Sequence, residues 1–489
     1  MSENLKQKAI SGVVWSAIHK FSSVFLGFVS GIVLARLLTP HDYGVIGMLT
    51  IFLAISQTFI DGGFGSALIQ KKNPSDEDYS TILYWNLGLS LFLYLVLYAC
   101  APYIAKFYSL PILCDVLRVQ GIVLIINAAR IVQHNQLRKK LLFKKVAIIN
   151  FTTSAIALCV TIYLAWKGWG VWALVAQQLL VGFLATTFYW AIAKWRPKFC
   201  FSTKSFKELF GFGGFILLSN LFNTLCNNIQ GLLIGKVYNS STLGYYTKAK
   251  QSEEYASTFI SSVLDQVSYP VLSEAQDSCQ RMTSILKKFI GTSAYITFPL
   301  MLLLILLAKP IIIILYSERW LPCVPYFRIL CLAGIAISLQ NINYFAVAAI
   351  GKSKQLLTWT FVKRGLGLAF VVGGLWIYGI YGLLIGSVVT SWLIYFINAG
   401  LVSKYIGYTI RRQFIDLFPI ITLSLTAFAL VCFFDLFIKI DNLLLVGLIK
   451  AALFVLLYII LSLIGKIKAL AFAIETTKTI VKRIKHTDQ

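Results

Sequence analysis

The sequence predicts an all-α integral membrane protein of fourteen transmembrane helices: two six-helix pseudo-symmetric bundles in parallel repeat, then two C-terminal helices. Three observations lead there. Apolar stretches long enough to cross a bilayer recur from residue 10 to residue 465, separated by short polar joints. The chain is 58% hydrophobic with a mean hydropathy of +0.78 over 489 residues. That is more apolar surface than one soluble core could hide, because such cores stop growing at about 250–300 residues. Finally, Lys and Arg concentrate in alternate joints, as they do in multi-pass membrane proteins.

Segments of about 20 residues, the length a bilayer requires, run over 10–34, 43–68, 80–105, 115–135, 145–166, 169–192, 208–235, 249–272, 289–308, 326–350, 356–377, 381–402, 414–438 and 443–464. Segment eight is unusually polar, and 309–325 has the character of a stretch that dips into the interface. An even number of spans puts both termini on one side. With that side cytoplasmic, the inner joints carry 28 Lys and Arg and the outer joints nine. The bias orients the protein with both ends on the cytoplasmic side. The net charge of +25 therefore reports topology. No basic face stands clear of the membrane, so nucleic acid is not an expected partner. The first segment is too long and too interrupted by polar residues for a cleaved signal. The nine cysteines form no CxxC pair and read as small apolar fillers.

No joint has room for a folded soluble domain. The expected organisation is an N-terminal bundle over 1–203, a C-terminal bundle over 204–402, two additional helices over 403–465 and a basic tail over 466–489. The tail spaces Ile467, Leu470, Ile474, Val481 and Ile484 as an amphipathic surface helix would, and a solvated tail fits the same composition. The bundles repeat at an offset of 200: Trp15 matches Phe215, Gly31 matches Gly231, Arg36 matches Lys236 and Gly44 matches Gly244. Six spans separate the copies, so both run in the same direction. Parallel repeats of this kind are a transporter plan with the substrate site between the halves.

Polar residues inside the spans carry the chemistry. Segment seven places Asn220, Asn223, Asn227 and Gln230 on one face through steps of three and four. Segment one presents Lys20, Ser23, Gly27 and Ser30 at the same offset, and segment eight presents Glu254, Thr258, Ser261, Asp265 and Ser268. Such stripes line protein or water, because lipid cannot satisfy them. They imply a hydrated cavity, although carboxamides can also join helices. Lys20 sits near the midplane, Arg130 near the inner end of segment four, and Lys363 and Arg364 about a dozen ångströms into segment eleven. Intramembrane cations need partners. Asp61 and Asp265 are candidates for charge balance or ion coupling, and an anionic substrate is the other possibility. Arg36 and Lys236 are repeat-related cations at candidate gates. None of the four histidines has a second metal-type ligand at helical spacing. Ala349-Ile-Gly-Lys-Ser353 lacks the first glycine of a phosphate loop and follows a spanning helix rather than a strand. The expectation is no enzyme, no metal and no cofactor.

Several runs are characteristic together: AlaArgLeuLeuThrProHisAspTyrGly at 35–44, AspGlyGlyPheGlySerAlaLeuIleGln at 61–70 and GlnLeuArgLysLysLeuLeuPheLys at 136–144. LeuGlyTyrTyrThrLysAlaLys at 243–250, TyrPro at 269–270 and TyrSerGluArgTrp at 316–320 complete the set. Through them the chain resembles the bacterial polysaccharide transporters, which belong to the superfamily that also holds the multidrug and toxin extruders. The resemblance spans roughly 5–410. It implies a flippase that moves undecaprenyl-pyrophosphate-linked repeat units to the periplasmic leaflet by alternating access, for O-antigen, capsule or exopolysaccharide synthesis. Lys20, Arg130, Lys363 and Arg364 would then hold the pyrophosphate, and the carboxamides of segment seven would meet sugar hydroxyls. The implied partners are a lipid-linked oligosaccharide and membrane lipids. H+ or Na+ is the candidate coupling ion, and polysaccharide assembly proteins are candidate contacts. A cation-coupled multidrug exporter, a peptidoglycan precursor flippase and a membrane glycan polymerase or ligase are the alternatives.

Overall fold

A computed structural model describes residues 3–437 and 442–465; the expected amphipathic tail, 466–489, lies outside them. The regular structure of the described residues is helical. The first compact unit, Met1–Thr247, holds α1 (Glu3–Leu37), α2 (Pro40–Asp61), α3 (Phe64–Gln70), α4 (Asp76–Phe107), α5 (Ile112–Gln120), α6 (Ile122–Lys139), α7 (Phe143–Trp166), α8 (Val171–Ala193), α9 (Thr203–Val237) and the start of α10 (Ser240–Glu274). The second, Lys248–Gln489, holds the rest of α10, then α11 (Cys279–Leu306), α12 (Ala308–Tyr316), α13 (Cys323–Ala349), α14 (Ser353–Ile406), α15 (Ile410–Asp435) and α16 (Leu443–Ile464).

Among the described residues, eleven helices are long and apolar enough to cross a membrane, or twelve if the bent pair Thr203–Gly211 and Ile216–Val237 makes one span. α14 counts once in that tally. Its 54 residues would reach about 80 Å if straight, against about 30 Å of hydrocarbon. Non-helical backbone at Tyr378 and Gly379, the glycine at φ 59°, breaks it where the sequence separates segments eleven and twelve. α10 is too polar to qualify, in keeping with the polarity of segment eight.

Local chemistry sets the helix ends. Thr39 caps α2, its hydroxyl accepting from the Asp42 amide at 3.3 Å while the Asp42 carboxylate accepts from the Thr39 amide at 2.9 Å. This reciprocal box satisfies two amides that a helix start leaves orphaned. Pro40 fills the first turn, where its missing N–H costs nothing. Two hundred residues later, the Asn239 carboxamide accepts from the Thr242 amide at 2.8 Å. α1 and α9 are each 35 residues long, and α2 and α10 begin at Pro40 and Ser240.

The starts of α2 and α10 also touch reciprocally. A Cβ on Gly44 would come within 1.7 Å of the Ser240 carbonyl oxygen, and a Cβ on Gly244 within 1.9 Å of the Pro40 carbonyl oxygen. His41 Nδ1 and the Ser240 hydroxyl lie 2.6 Å apart beside them. Lipid tails are as apolar as leucine, so helices in a bilayer associate through close packing, which small residues permit. Elsewhere, Leu34, Leu38, Leu158 and Leu174 bury one seam of the first unit, and Leu302, Val431, Phe454 and Tyr458 one of the second.

Gly44→Ala and Gly244→Ala should each destabilise the solubilised protein by about 1–3 kcal/mol, the usual cost of overpacking. The double variant should lose less than the sum, since both strain one contact. Thermal unfolding of all three variants tests this, and strictly additive losses would contradict a shared contact.

Candidate functional site

Four helices of the first unit build a polar interior around α6. Asn127, Arg130 and His134 follow one another on α6 at steps of three and four, which keeps them on one side. One cavity of about 390 Å³ is lined by Ser23, Gly27 and Ser30 of α1, Asn127 and Arg130 of α6, and Gln177 and Gln178 of α8. A second, of about 310 Å³, is lined by Gln57 and Asp61 of α2, by Asn127, Arg130 and His134, by Asn150 of α7 and by Tyr189 of α8. Asn127 and Arg130 belong to both walls.

Hydrogen bonds hold most of these side chains. Gln57 donates to Asp61 at 3.0 Å and accepts from Asn127 at 3.2 Å. Gln177 donates to Ser30 at 3.1 Å, and Gln120 of α5 to Gln178 at 2.8 Å. Asn150 accepts from the Tyr189 hydroxyl at 3.1 Å, and its amide nitrogen lies 2.8 Å from His19 Nε2 of α1. Arg130 is different. It is partly buried, and its electrostatic neighbours are Asp61 and Tyr189, yet it makes no direct ion pair or hydrogen bond with a described residue. A guanidinium offers five donors in a rigid fork. Here that fork faces cavity space.

The other sequence-predicted residues fall as follows. Lys20 is exposed on α1, one turn from the cavity residue Ser23. On α9, Asn220 and Asn227 are exposed and Asn223 and Gln230 partly so. Asn223 returns its amide to the Ser219 carbonyl at 3.0 Å, and Gln230 accepts from the Tyr246 hydroxyl. Arg36 is exposed at the end of α1. Lys236 is anchored, donating to the Phe107 carbonyl at 2.6 Å with its ammonium 4.3 Å from the Phe107 ring centre. The first unit thus holds Lys20, Asp61, Arg130 and the α9 carboxamides, and of these Asp61 and Arg130 line the same cavity.

Lys363 and Arg364 belong to the second unit. The Lys363 ammonium is buried and donates to Asn398 at 2.5 Å, and Asn398 donates in turn to the Gln340 carbonyl at 3.0 Å. Arg364 is partly buried. The Asp265 side chain lies outside the described residues. Sequence reasoning missed Gln57, Asn127, His134, Asn150, Gln177, Gln178 and Tyr189. Only the α6 trio had a sequence signal, its helical spacing.

A multi-pass helical bundle with a polar, cation-bearing interior defines a membrane transporter. Residues 33–325, well over half the chain, match the family described as polysaccharide biosynthesis protein. The chain belongs to that family, and so to the polysaccharide transporters of the multidrug/oligosaccharidyl-lipid/polysaccharide exporter superfamily. It is 26% identical over 413 residues to the teichuronic acid biosynthesis protein TuaB of Bacillus subtilis, covering 82% of this chain and 85% of that one. It is 22% identical over 438 residues to the lipopolysaccharide biosynthesis protein WzxC of Escherichia coli, covering 86% of each. Its fold matches the lipid II flippase MurJ in an inward closed conformation with a TM-score of 0.74, at 16% identity over 92% of this chain and 98% of that one. An inward-facing multidrug transporter of the MATE family matches with a TM-score of 0.60, at 16% identity over 81% of this chain and 98% of that one.

Asn150→Ala would leave the Tyr189 hydroxyl, on a side chain only 1% exposed, without its acceptor. The expected loss is about 1–3 kcal/mol, the cost of an unsatisfied buried polar group, read by thermal unfolding in detergent. An unchanged midpoint would mean that water already serves that hydroxyl.

Proposed function

We propose that this protein flips undecaprenyl-pyrophosphate-linked oligosaccharide repeat units from the cytoplasmic to the periplasmic leaflet by alternating access. One observation carries the reading: the Arg130 fork, which makes no direct hydrogen bond or ion pair with a described residue, faces two polar cavities inside an apolar bundle. A cation kept that way in low dielectric favours an anionic ligand, and a diphosphate accepts from a guanidinium in bidentate fashion. Glycan hydroxyls cannot cross hydrocarbon unaided. The carboxamides at Asn220, Asn223, Asn227 and Gln230, joined by Gln57, Asn127 and Gln177, supply donors and acceptors for them. The polyprenyl tail stays in lipid. Membership of the polysaccharide biosynthesis family and similarity to proteins named for teichuronic acid and lipopolysaccharide synthesis support this cargo class.

The topology that accompanies this function is fourteen spans with both termini cytoplasmic. α14 supplies two spans, and α9 and α10 one each. The equal lengths of α1 and α9 and the reciprocal Gly44 and Gly244 contacts support the parallel six-helix repeat. Lys20 and Arg130 are the first contacts for the diphosphate. Lys363 and Arg364 complete the cationic set, Lys363 once it has left Asn398. Arg36 and Lys236 mark the outer ends of the repeated helices. Asp61 balances Arg130 while the cavity is empty and takes up a cation, H+ or Na+, when an anion claims the guanidinium. Asp265 is the second candidate for that role. The protein performs transport and needs no cofactor.

Reconstituted into vesicles, Arg130→Gln should lower the rate of translocation of a fluorescent undecaprenyl-pyrophosphate oligosaccharide at least tenfold, with Arg130→Lys intermediate and Lys20→Gln reduced. Membrane insertion should be unchanged in all three. Wild-type rates for Arg130→Gln would remove the assignment. Export of a cationic dye by a wild-type protein that ignores the lipid-linked sugar would favour the extruder reading instead.

A further inference from the structure

The second unit contains an acid that no role above uses. Glu253 lies on α10 and is 4% exposed. Its Oε1 is buried and has no hydrogen-bond partner. The carboxyl is pressed against the backbone of α13 at Gly334: a Cβ there would come within 2.3 Å of Oε1, and Met301 of α11 flanks the same point at 3.1 Å. Ser257, one turn along α10, lies beside it, its hydroxyl donating to the Glu254 carbonyl at 3.5 Å.

The charged and titratable groups around it do not neutralise it. Lys250 and Glu254, on α10, make their own pair at 3.9 Å. Lys248 turns away, donating to Gln251 at 3.2 Å and lying 4.6 Å from the Tyr316 ring of α12. From α13 comes Cys331, a thiol, and from α11 the thioether of Met301. An ionised carboxylate with one oxygen sealed against glycine and methionine is costly, because neither water nor a donor replaces its hydration. A neutral acid fits the same place. Its O–H has an acceptor in the Ser257 hydroxyl oxygen, whose own hydrogen goes to the Glu254 carbonyl, and its uncharged carbonyl faces Gly334.

We propose that Glu253 is a proton-binding site of the second unit, occupied when α10 and α13 are packed as they are here. When the two helices part and water reaches Oε1, the O–H bond breaks. The proton passes to water as hydronium and a carboxylate remains, which resists repacking against Gly334. Protonation then tracks helix packing, as a transport cycle coupled to H+ requires. The significance of the site rests on the transporter reading; the chemistry does not depend on the cargo.

The test uses purified full-length protein in lipid nanodiscs without cargo. Cys331 on α13, which is buried, is alkylated with N-ethylmaleimide between pH 6 and pH 9.5 and resolved from the other cysteines by peptide mass spectrometry. Wild type and E253Q should label alike at pH 6, whereas at pH 9.5 wild type should label at least tenfold faster. Electrostatics alone predicts the opposite order, since a carboxylate beside a thiol suppresses the thiolate. Equal rates across the range, or a faster E253Q, would overturn the proposal. So would an E253Q that fails to fold, because Gln matches the shape and charge of the neutral acid. Gly334→Ala keeps the carboxyl but drives it off α13. Its Cys331 should already label faster than wild type at pH 6, and no increase would count against the site. A negative result in this assay leaves the glycolipid reading untouched, since no translocation is measured.

Discussion

Hydrocarbon offers no hydrogen bonds, and that restriction governs every polar atom in this bundle. Most obey it locally. Thr50 donates to the Ile46 carbonyl at 2.9 Å, Thr161 to Ala157 at 2.7 Å and Ser424 to Ile420 at 2.8 Å, each returning to its own helix one turn back. Others pair across helices. Asn343 and Gln413 exchange hydrogen bonds at 3.3 and 3.2 Å, and Tyr395 donates to the same Gln413 at 3.1 Å. Some side chains do neither, Asn86 and Gln133 among the neutral ones, and Arg130 is the charged one that faces both cavities.

Helix identity was legible because lipid enforces it. A span must be long, apolar and internally hydrogen-bonded, and those demands appear directly in the sequence. The start of α2 lies three residues before the expected segment, where Thr39, Pro40 and Asp42 form a capping box with proline in the first turn, because polar capping residues do not register as apolar span. The offset of 200 was visible in four matched residues. That Gly44 and Gly244 lie against the Ser240 and Pro40 carbonyls was not legible, since a glycine in a sequence does not say what approaches it.

The site was legible only in part. Arg130 announced itself as a cation within a span. Its surroundings did not, because Gln57, Asn150 and Tyr189 come from three different helices and each alone reads as packing glue. The α9 stripe is polar by its helical spacing alone. Helical spacing could not reveal that Asn223 spends its amide on the Ser219 carbonyl or that Gln230 is engaged by Tyr246. Lys363 had the same sequence signal as Arg130. Its acceptor, Asn398, is 35 residues away on the far side of the α14 break, so the difference between the two cations is tertiary.

That difference bears on what each unit can do. In the second unit several polar groups are drawn into contacts: Lys363 on Asn398, Lys248 on Gln251 and Tyr316, and Asn343 on Gln413. A buried donor already satisfied gains little from a ligand, since the new hydrogen bond only replaces an old one. In the first unit the arrangement is reversed. Gln57 and Asn127 hold each other, and Asn150 is held by His19 and Tyr189, while the guanidinium between the cavities makes no direct hydrogen bond with a described residue. A ligand there meets a preorganised wall and an unspent charge, so its binding free energy is not consumed in breaking protein contacts. The two cations therefore differ in what a ligand would gain from them: Arg130 keeps its donors directed at cavity space, whereas Lys363 must first give up Asn398.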